Sequence, residues 1–180
     1  MNRDTFAVWL TGLPGSGKSV ISDKLKDLLY QKGINTQILR MDKMREYVTP
    51  KPKYTDEERQ LIYNAFAFSA KLLVDNDINV IMDATGNLRK YRALPKKIIS
   101  NYYEIHLKCP LEVAMKREME RTDTKEAPKN IYKRAIEGET ETVPGLQVEY
   151  EEPLEPDLVV ETDKYDINEC AQQIITIILK

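Results

Sequence analysis

The 180-residue chain carries 27 Lys and Arg against 29 Asp and Glu, a formal net charge of −2, with 42% hydrophobic and 31% charged residues. That length suits a single domain over residues 1–180 whose core buries roughly 70% of the surface exposed by the unfolded chain, and the composition is neither disordered nor membrane-like. The balanced charge gives no global attraction to nucleic acid or anionic lipid, so any phosphate binding has to be local. No apolar run approaches the roughly 20 residues of a membrane span, and residues 1–4 lead into an apolar segment with no signal-peptide core, which predicts a cytoplasmic protein. Cys109 and Cys170 stand far apart in no metal-ligand pattern and read as reduced core thiols.

The first apolar run, residues 6–10, reads as a strand and is followed by Gly12-Leu13-Pro14-Gly15-Ser16-Gly17-Lys18-Ser19. The spacing G-x-x-x-x-G-K-[ST] is that of a phosphate-binding P-loop. Its glycines let the main chain curl until N–H groups point at phosphate oxygens, and the next helix aims its positive end there. Lys18 adds a charge at the β- and γ-phosphates, and Ser19 offers a hydroxyl to Mg²⁺. Val20, Ile21, Leu25, Leu28 and Leu29 then recur at helical spacing.

Four further apolar runs, 36–41, 79–82, 102–107 and 158–161, read as strands. From Asp56 onward Leu61, Ile62, Ala65, Phe66, Ser69, Leu72 and Leu73 mark one helix face, with Thr55 as N-cap and Glu58 completing a capping box. Residues 89–100 form a shorter basic helix that must tolerate Pro95; 111–121 open a helix after Pro110, and the last helix begins at Ile167. This alternation predicts an α/β fold, a three-layer α/β/α arrangement around a mainly parallel five-stranded sheet with right-handed crossovers. Ligands of such sheets gather beyond the carboxyl ends of the strands. There the chain has the P-loop, then Asp42, Asp83 and Asp163 after the second, third and fifth strands. Residues 45–54, with two prolines, read as a loop over the crevice. The charged stretch 122–143 reads as a lid that closes on ATP and excludes water, or as a solvated helical hairpin.

A crevice of this kind suits phosphoryl transfer, which needs positioning and charge stabilisation more than covalent chemistry. Asp42 stands where a carboxylate takes or orients the acceptor hydroxyl's proton, and Arg45, one turn on, where a guanidinium pairs with an anionic substrate. Helix capping and solvation are their structural alternatives. Asp83 closes Val80-Ile81-Met82-Asp83, a Walker-B-like placement for a Mg²⁺ carboxylate, or else is a satisfied strand-end acid. Asn87, Arg89, Lys90 and Arg92 form a basic cluster suited to a small anionic substrate. Arg59 lies in the first turns of its helix. Arg117 and Arg121, one turn apart beside the lid, are candidates to bridge ATP phosphates, with pairing to Glu118 or Glu120 competing for at least one. His106 has no partner pattern and reads as structural.

These residues together resemble the adenylylsulfate kinase family of P-loop kinases over nearly the whole chain. Gly12 to Ser19 is similar to its P-loop. Asp42 and Arg45 match the last Asp and the Arg of its Asp-Gly-Asp-Asn-x-x-Arg stretch, Arg59 falls at a substrate-binding arginine, and Arg89-Lys90 resembles its arginine-lysine pair. Lys129-Asn130-Ile131-Tyr132-Lys133-Arg134-Ala135 is similar to Lys-Gly-Leu-Tyr-Lys-Lys-Ala, and Gly145 with Tyr150-Glu151-Glu152-Pro153 to Gly-x-x-x-Pro-Tyr-Glu-x-Pro. The chain departs from the family at Arg40-Met41, at Ile62 in place of an Asn, and at Gly86 in place of a serine that is phosphorylated in the family. The resemblance implies transfer of the ATP γ-phosphate, with Mg²⁺, to the 3′-hydroxyl of adenosine 5′-phosphosulfate in sulfate assimilation. Taken with the reading of the residues above, it gives Lys18 and Asp42 as catalytic, the P-loop with Arg117 and Arg121 at the nucleotide, and Asp42, Arg45, Arg59, Asn87, Arg89 and Lys129 at the acceptor. Ser19 and Asp83 would hold the metal, and a homodimer is compatible with it. The alternatives are another small metabolite or a polynucleotide 5′-hydroxyl as acceptor. A GTP-hydrolysing switch would use Asp83-Ala84-Thr85-Gly86 as its D-x-x-G, but the matching Asn-Lys-x-Asp is missing.

Overall fold

Each of the five apolar runs forms a strand, because alternate residues find an apolar layer on both faces of one sheet. The computed structural model describes residues 5–122 and 128–180. Its strands are β1 (Ala7–Thr11), β2 (Thr36–Arg40), β3 (Asn79–Asp83), β4 (Tyr102–Lys108) and β5 (Leu158–Glu161). Between and after them run α1 (Lys18–Gln31), α2 (Met41–Val48), α3 (Asp56–Val74), α4 (Arg89–Ile98), α5 (Leu111–Glu120), α6 (Ile131–Ile136) and α7 (Ile167–Ile178). The strand order is β2-β3-β1-β4-β5, and every pairing is parallel.

β1 shows why the sheet is covered twice. Val8 and Leu10 pack with Ile81, Ile105 and Leu107 under α1 and α7, where Ile21, Leu25, Ala171 and Ile174 are buried. Ala7 and Trp9 pack the other way, with Val80 and Met82, against Ile62, Tyr63, Phe66 and Ala70 of α3 and Tyr91 of α4. The Trp9 indole Nε1 donates to the Ala84 carbonyl at 2.8 Å, which satisfies its one polar atom inside the core. A third, smaller cluster of Tyr132, Ala135 and Val143 packs on Leu111 and Met115 and fastens α6 to α5.

Two boundaries differ from expectation. β2 ends at Arg40 and Met41 opens α2, so residues 45–48, read from sequence as part of a loop, are helical. Pro50 restricts the residue before it to extended backbone, and Thr49 takes φ −135° as the helix stops. Of the stretch 122–143, residues 123–127 lie outside the described residues; the rest includes α6, and a turn closed by a Pro144–Val148 bridge follows it. No helix among the described residues is long and apolar enough to cross a membrane.

Candidate functional site

Strand register brings the sequence candidates together. Asp83 pairs with Leu10 of β1 on one side and Arg40 of β2 on the other. The P-loop begins two residues after Leu10 and Asp42 lies two residues after Arg40, so the loop and both acids emerge side by side from one edge. A cavity of about 590 Å³ opens there, lined by Pro14, Gly15, Gly17, Lys18, Ser19, Asp42 and Asp83. Asp163 lies elsewhere, on a separate depression beside β4 and β5.

The P-loop needs glycine for reasons visible in its contacts. Gly15 (φ +81°) and Gly17 (φ +96°) are left-handed, and a Cβ on Gly15 would fall 2.1 Å from the Ala114 carbonyl oxygen of α5. Gly12 is confined similarly, 2.6 Å from the Leu107 oxygen. Gly12, Leu13 and Ser16 of the loop do not line this cavity, and Leu13 lines the depression beside β4 and β5 instead. Tyr132 of α6, fully buried, donates its hydroxyl to the Pro14 carbonyl at 2.9 Å and so ties the charged segment to the loop.

Lys18 Nζ donates to the carbonyls of Gly12 and Leu13, both at 2.9 Å. Burial pushes its pKa down, and the charges of Asp83 and Asp42 push back. Asp42 is raised to about 6, first by burial and then by the Asp83 charge, with Lys18 and Arg45 opposing. Asp83 is raised too, by burial, against Lys18, the Ser19 hydroxyl and Arg40, whose Nε lies 3.5 Å from it. Among the described residues no three His, Cys, Asp or Glu side chains gather to hold a metal unaided. Two carboxylates and a hydroxyl are nevertheless an all-oxygen set, which fits a hard divalent ion shared with phosphate oxygens.

The rest of the charged lining is cationic. Arg45, Arg59, Arg117, Arg121 and Arg134 all line the cavity. Arg45 Nη1 donates to Glu58 Oε1 at 3.2 Å and to Thr49 Oγ1 at 3.3 Å. Arg59 donates to Asn87 Oδ1 at 3.1 Å and to the Thr142 carbonyl at 3.2 Å. Asn87 is off the wall, where its Oδ1 accepts from Arg59 while its Nδ2 donates to the Glu149 carbonyl at 2.9 Å. Arg117 is held by Thr162, through the carbonyl at 2.9 Å and the hydroxyl at 3.3 Å. Arg121 reaches Glu118 at 3.3 Å and the Pro128 carbonyl at 2.9 Å.

Other members of the basic cluster turn away. Arg89 is taken by Glu151 (3.5 Å) and the Glu152 carbonyl (3.1 Å), Lys90 by Asp56, and Arg92 by Glu104 (2.7 Å) and the Gly86 carbonyl. None of the three lines the cavity, and Lys129 is exposed beside it. Tyr54, Tyr63, Arg134, Thr140 and Thr142 line it without having been singled out. Arg134 lay within a quoted motif, but Tyr54 carried no signal beyond its place between Pro52 and the helix cap.

The sequence model of the adenylylsulphate kinase family matches residues 4–161. The chain belongs to this family. Among adenylylsulphate kinase relatives it is 34% identical to a probable adenylyl-sulfate kinase of Archaeoglobus fulgidus, over 90% of this chain and 99% of that one. It is 33% identical to an adenylyl-sulfate kinase of Halothermothrix orenii, over 97% and 89%. The fold is similar to that of the Mycobacterium tuberculosis APS kinase CysC in complex with AMPPNP and APS, with a TM-score of 0.87, 28% identity, and 98% and 99% of the two chains covered. A sugar kinase from Janibacter sp., with a TM-score of 0.69 and 19% identity over 96% and 93% of the chains, shares the fold alone.

Proposed function

We propose that this adenylylsulphate kinase family member transfers the γ-phosphoryl group of ATP to the 3′-hydroxyl of adenosine 5′-phosphosulfate. The observation that carries the reading is the charge on one wall. Six cations, Lys18, Arg45, Arg59, Arg117, Arg121 and Arg134, line one cavity with two acids, Asp42 and Asp83. A site with that excess is built to hold polyanions, and a kinase for an anionic nucleotide holds two of them. The P-loop N–H groups and Lys18 cradle the β- and γ-phosphates, with Arg117 and Arg121 on the nucleotide. Ser19 and Asp83 would hold Mg²⁺, which would supply positive charge against the negative charge that develops on the transferring phosphoryl group.

On the acceptor side, Arg45 and Arg59 orient the anionic substrate. The 3′-oxygen attacks the γ-phosphorus, the bond to the ADP oxygen breaks, and the hydroxyl proton passes to the Asp42 carboxylate. That carboxylate's pKa, near 6, leaves it ionised yet basic enough to accept. The segment 128–143 closes over the reacting groups and keeps water out.

The test offers ATP and Mg²⁺ with a panel of hydroxyl acceptors and follows acceptor-dependent ADP release, with Lys18→Ala as the blank. Adenosine 5′-phosphosulfate should stimulate release above the blank. If it does not while another metabolite or a polynucleotide 5′-end does, the named acceptor is wrong.

A further inference from the structure

We infer that Glu58 is the positioning residue of the acceptor half, its single carboxylate setting both the 49–54 loop and Arg45 against the cavity. The sequence pattern assigns Glu58 to a capping box with Thr55, and half of that box forms: the Thr55 hydroxyl accepts from the Glu58 N–H at 3.3 Å. The other half does not. Instead of turning back to the Thr55 N–H, the carboxylate accepts from Lys53 N at 2.7 Å, Tyr54 N at 3.4 Å and Arg45 Nη1 at 3.2 Å.

These three donors matter because of what they carry. Tyr54 has φ +56°, a left-handed backbone that a residue with a side chain adopts only where its surroundings hold it. Its ring lies against both acceptor-side guanidiniums, 5.1 Å from Arg45 and 5.3 Å from Arg59, and its carbonyl accepts from Arg59 Nε at 3.2 Å. Glu58 is off the cavity wall, whereas Tyr54, Arg45 and Arg59 are on it, so its effect on a ligand passes through them. Its side chain is 16% exposed and that of Arg45 11%, which keeps water from substituting freely for either. Burial raises the carboxyl pKa, but the two N–H groups and Arg45 outweigh it and hold Glu58 below the usual carboxylate range, ionised at neutral pH.

The kinetic arm of the test rests on the proposed acceptor; the second arm does not. With ATP saturating, Glu58→Ala should raise KM for adenosine 5′-phosphosulfate about tenfold or more, the loss expected for a charge-assisted hydrogen bond, while KM for ATP stays within about threefold. Glu58→Gln keeps the shape and one acceptor oxygen, and should fall between wild type and alanine. The second arm is limited trypsin digestion of the intact protein, read by mass at the Lys53–Tyr54 bond. Cleavage there should be fastest in Glu58→Ala and intermediate in Glu58→Gln. Unchanged cleavage in both variants, or equal rises in KM for ATP and acceptor, would overturn the role of Glu58. If the wild type does not turn over this acceptor, the functional reading fails and the digestion alone still decides on Glu58. Should the alanine variant melt below the assay temperature, the glutamine variant supplies both readouts.

Discussion

Asp42 and Asp83 share one corner of the cavity, and burial first, then the Asp83 charge, gives Asp42 its chemistry. Its ordinary pKa of 3.8 moves to about 6 in the folded chain. As catalytic base it must be ionised, so kcat/KM for ATP should fall on the acid side with an apparent pKa near 6. Asp42→Asn should remove that limb and lower kcat by about 100-fold or more while ATP still binds. The same shift has a stability sign. The folded state holds the Asp42 proton more tightly than the unfolded chain, so stability declines as pH rises from about 4 through about 6. Asp42→Asn should therefore melt higher than wild type at pH 8, with the gap closing near pH 4 in thermal melts. Asp42, Arg45 and Arg59 were legible because each stands at a strand end or in a spaced motif. Arg89 lies off the cavity wall, paired with Glu151 62 residues away, and nothing local tells which way that helix turns its cations. Tyr54 was silent for the converse reason, since its value comes from two arginines that only the fold brings to its ring.

At the scale of elements, punctuation was the weak signal. Two prolines made 45–54 look like a loop, yet α2 runs on to Val48 because only the residue next to Pro50 is restricted. α6 was legible as charge and as a motif, but not as packing, and its buried Tyr132 and Ala135 make it a structural brace for the P-loop. The loop itself yields a paired prediction. Gly15 and Gly33 both have positive φ, but a Cβ on Gly33 meets nothing within 4 Å, whereas on Gly15 it strikes the α5 backbone. Gly33→Ala should cost about 1–2 kcal/mol, the left-handed penalty alone. Gly15→Ala should cost more and also abolish ATP binding, as urea unfolding and nucleotide titration on both variants would show.

For the molecule as a whole, alternation of strand and helix implied a parallel sheet, but the order β2-β3-β1-β4-β5 was not readable, since connection rules prune topologies without choosing one. What the order does is seat the P-loop on the central strand, so ligand and core share one support. A ligand that binds only the folded state stabilises it by mass action. ATP with Mg²⁺ at 100 times its Kd should add about 2.7 kcal/mol. For a chain of this size that raises Tm by roughly 5–10 °C. Lys18→Ala should lose most of the rise in a calorimetric scan.

Trp9 is the only tryptophan in the chain, and its indole is hydrogen-bonded to Ala84, the residue after Asp83. It stacks on Tyr63, whose hydroxyl accepts from the Gly86 N–H at 3.0 Å. The protein therefore contains a built-in fluorophore in the core, directly behind Tyr63 and Ala84 of the cavity lining. Its emission speaks for one place, the end of β3, and needs no dye to do so.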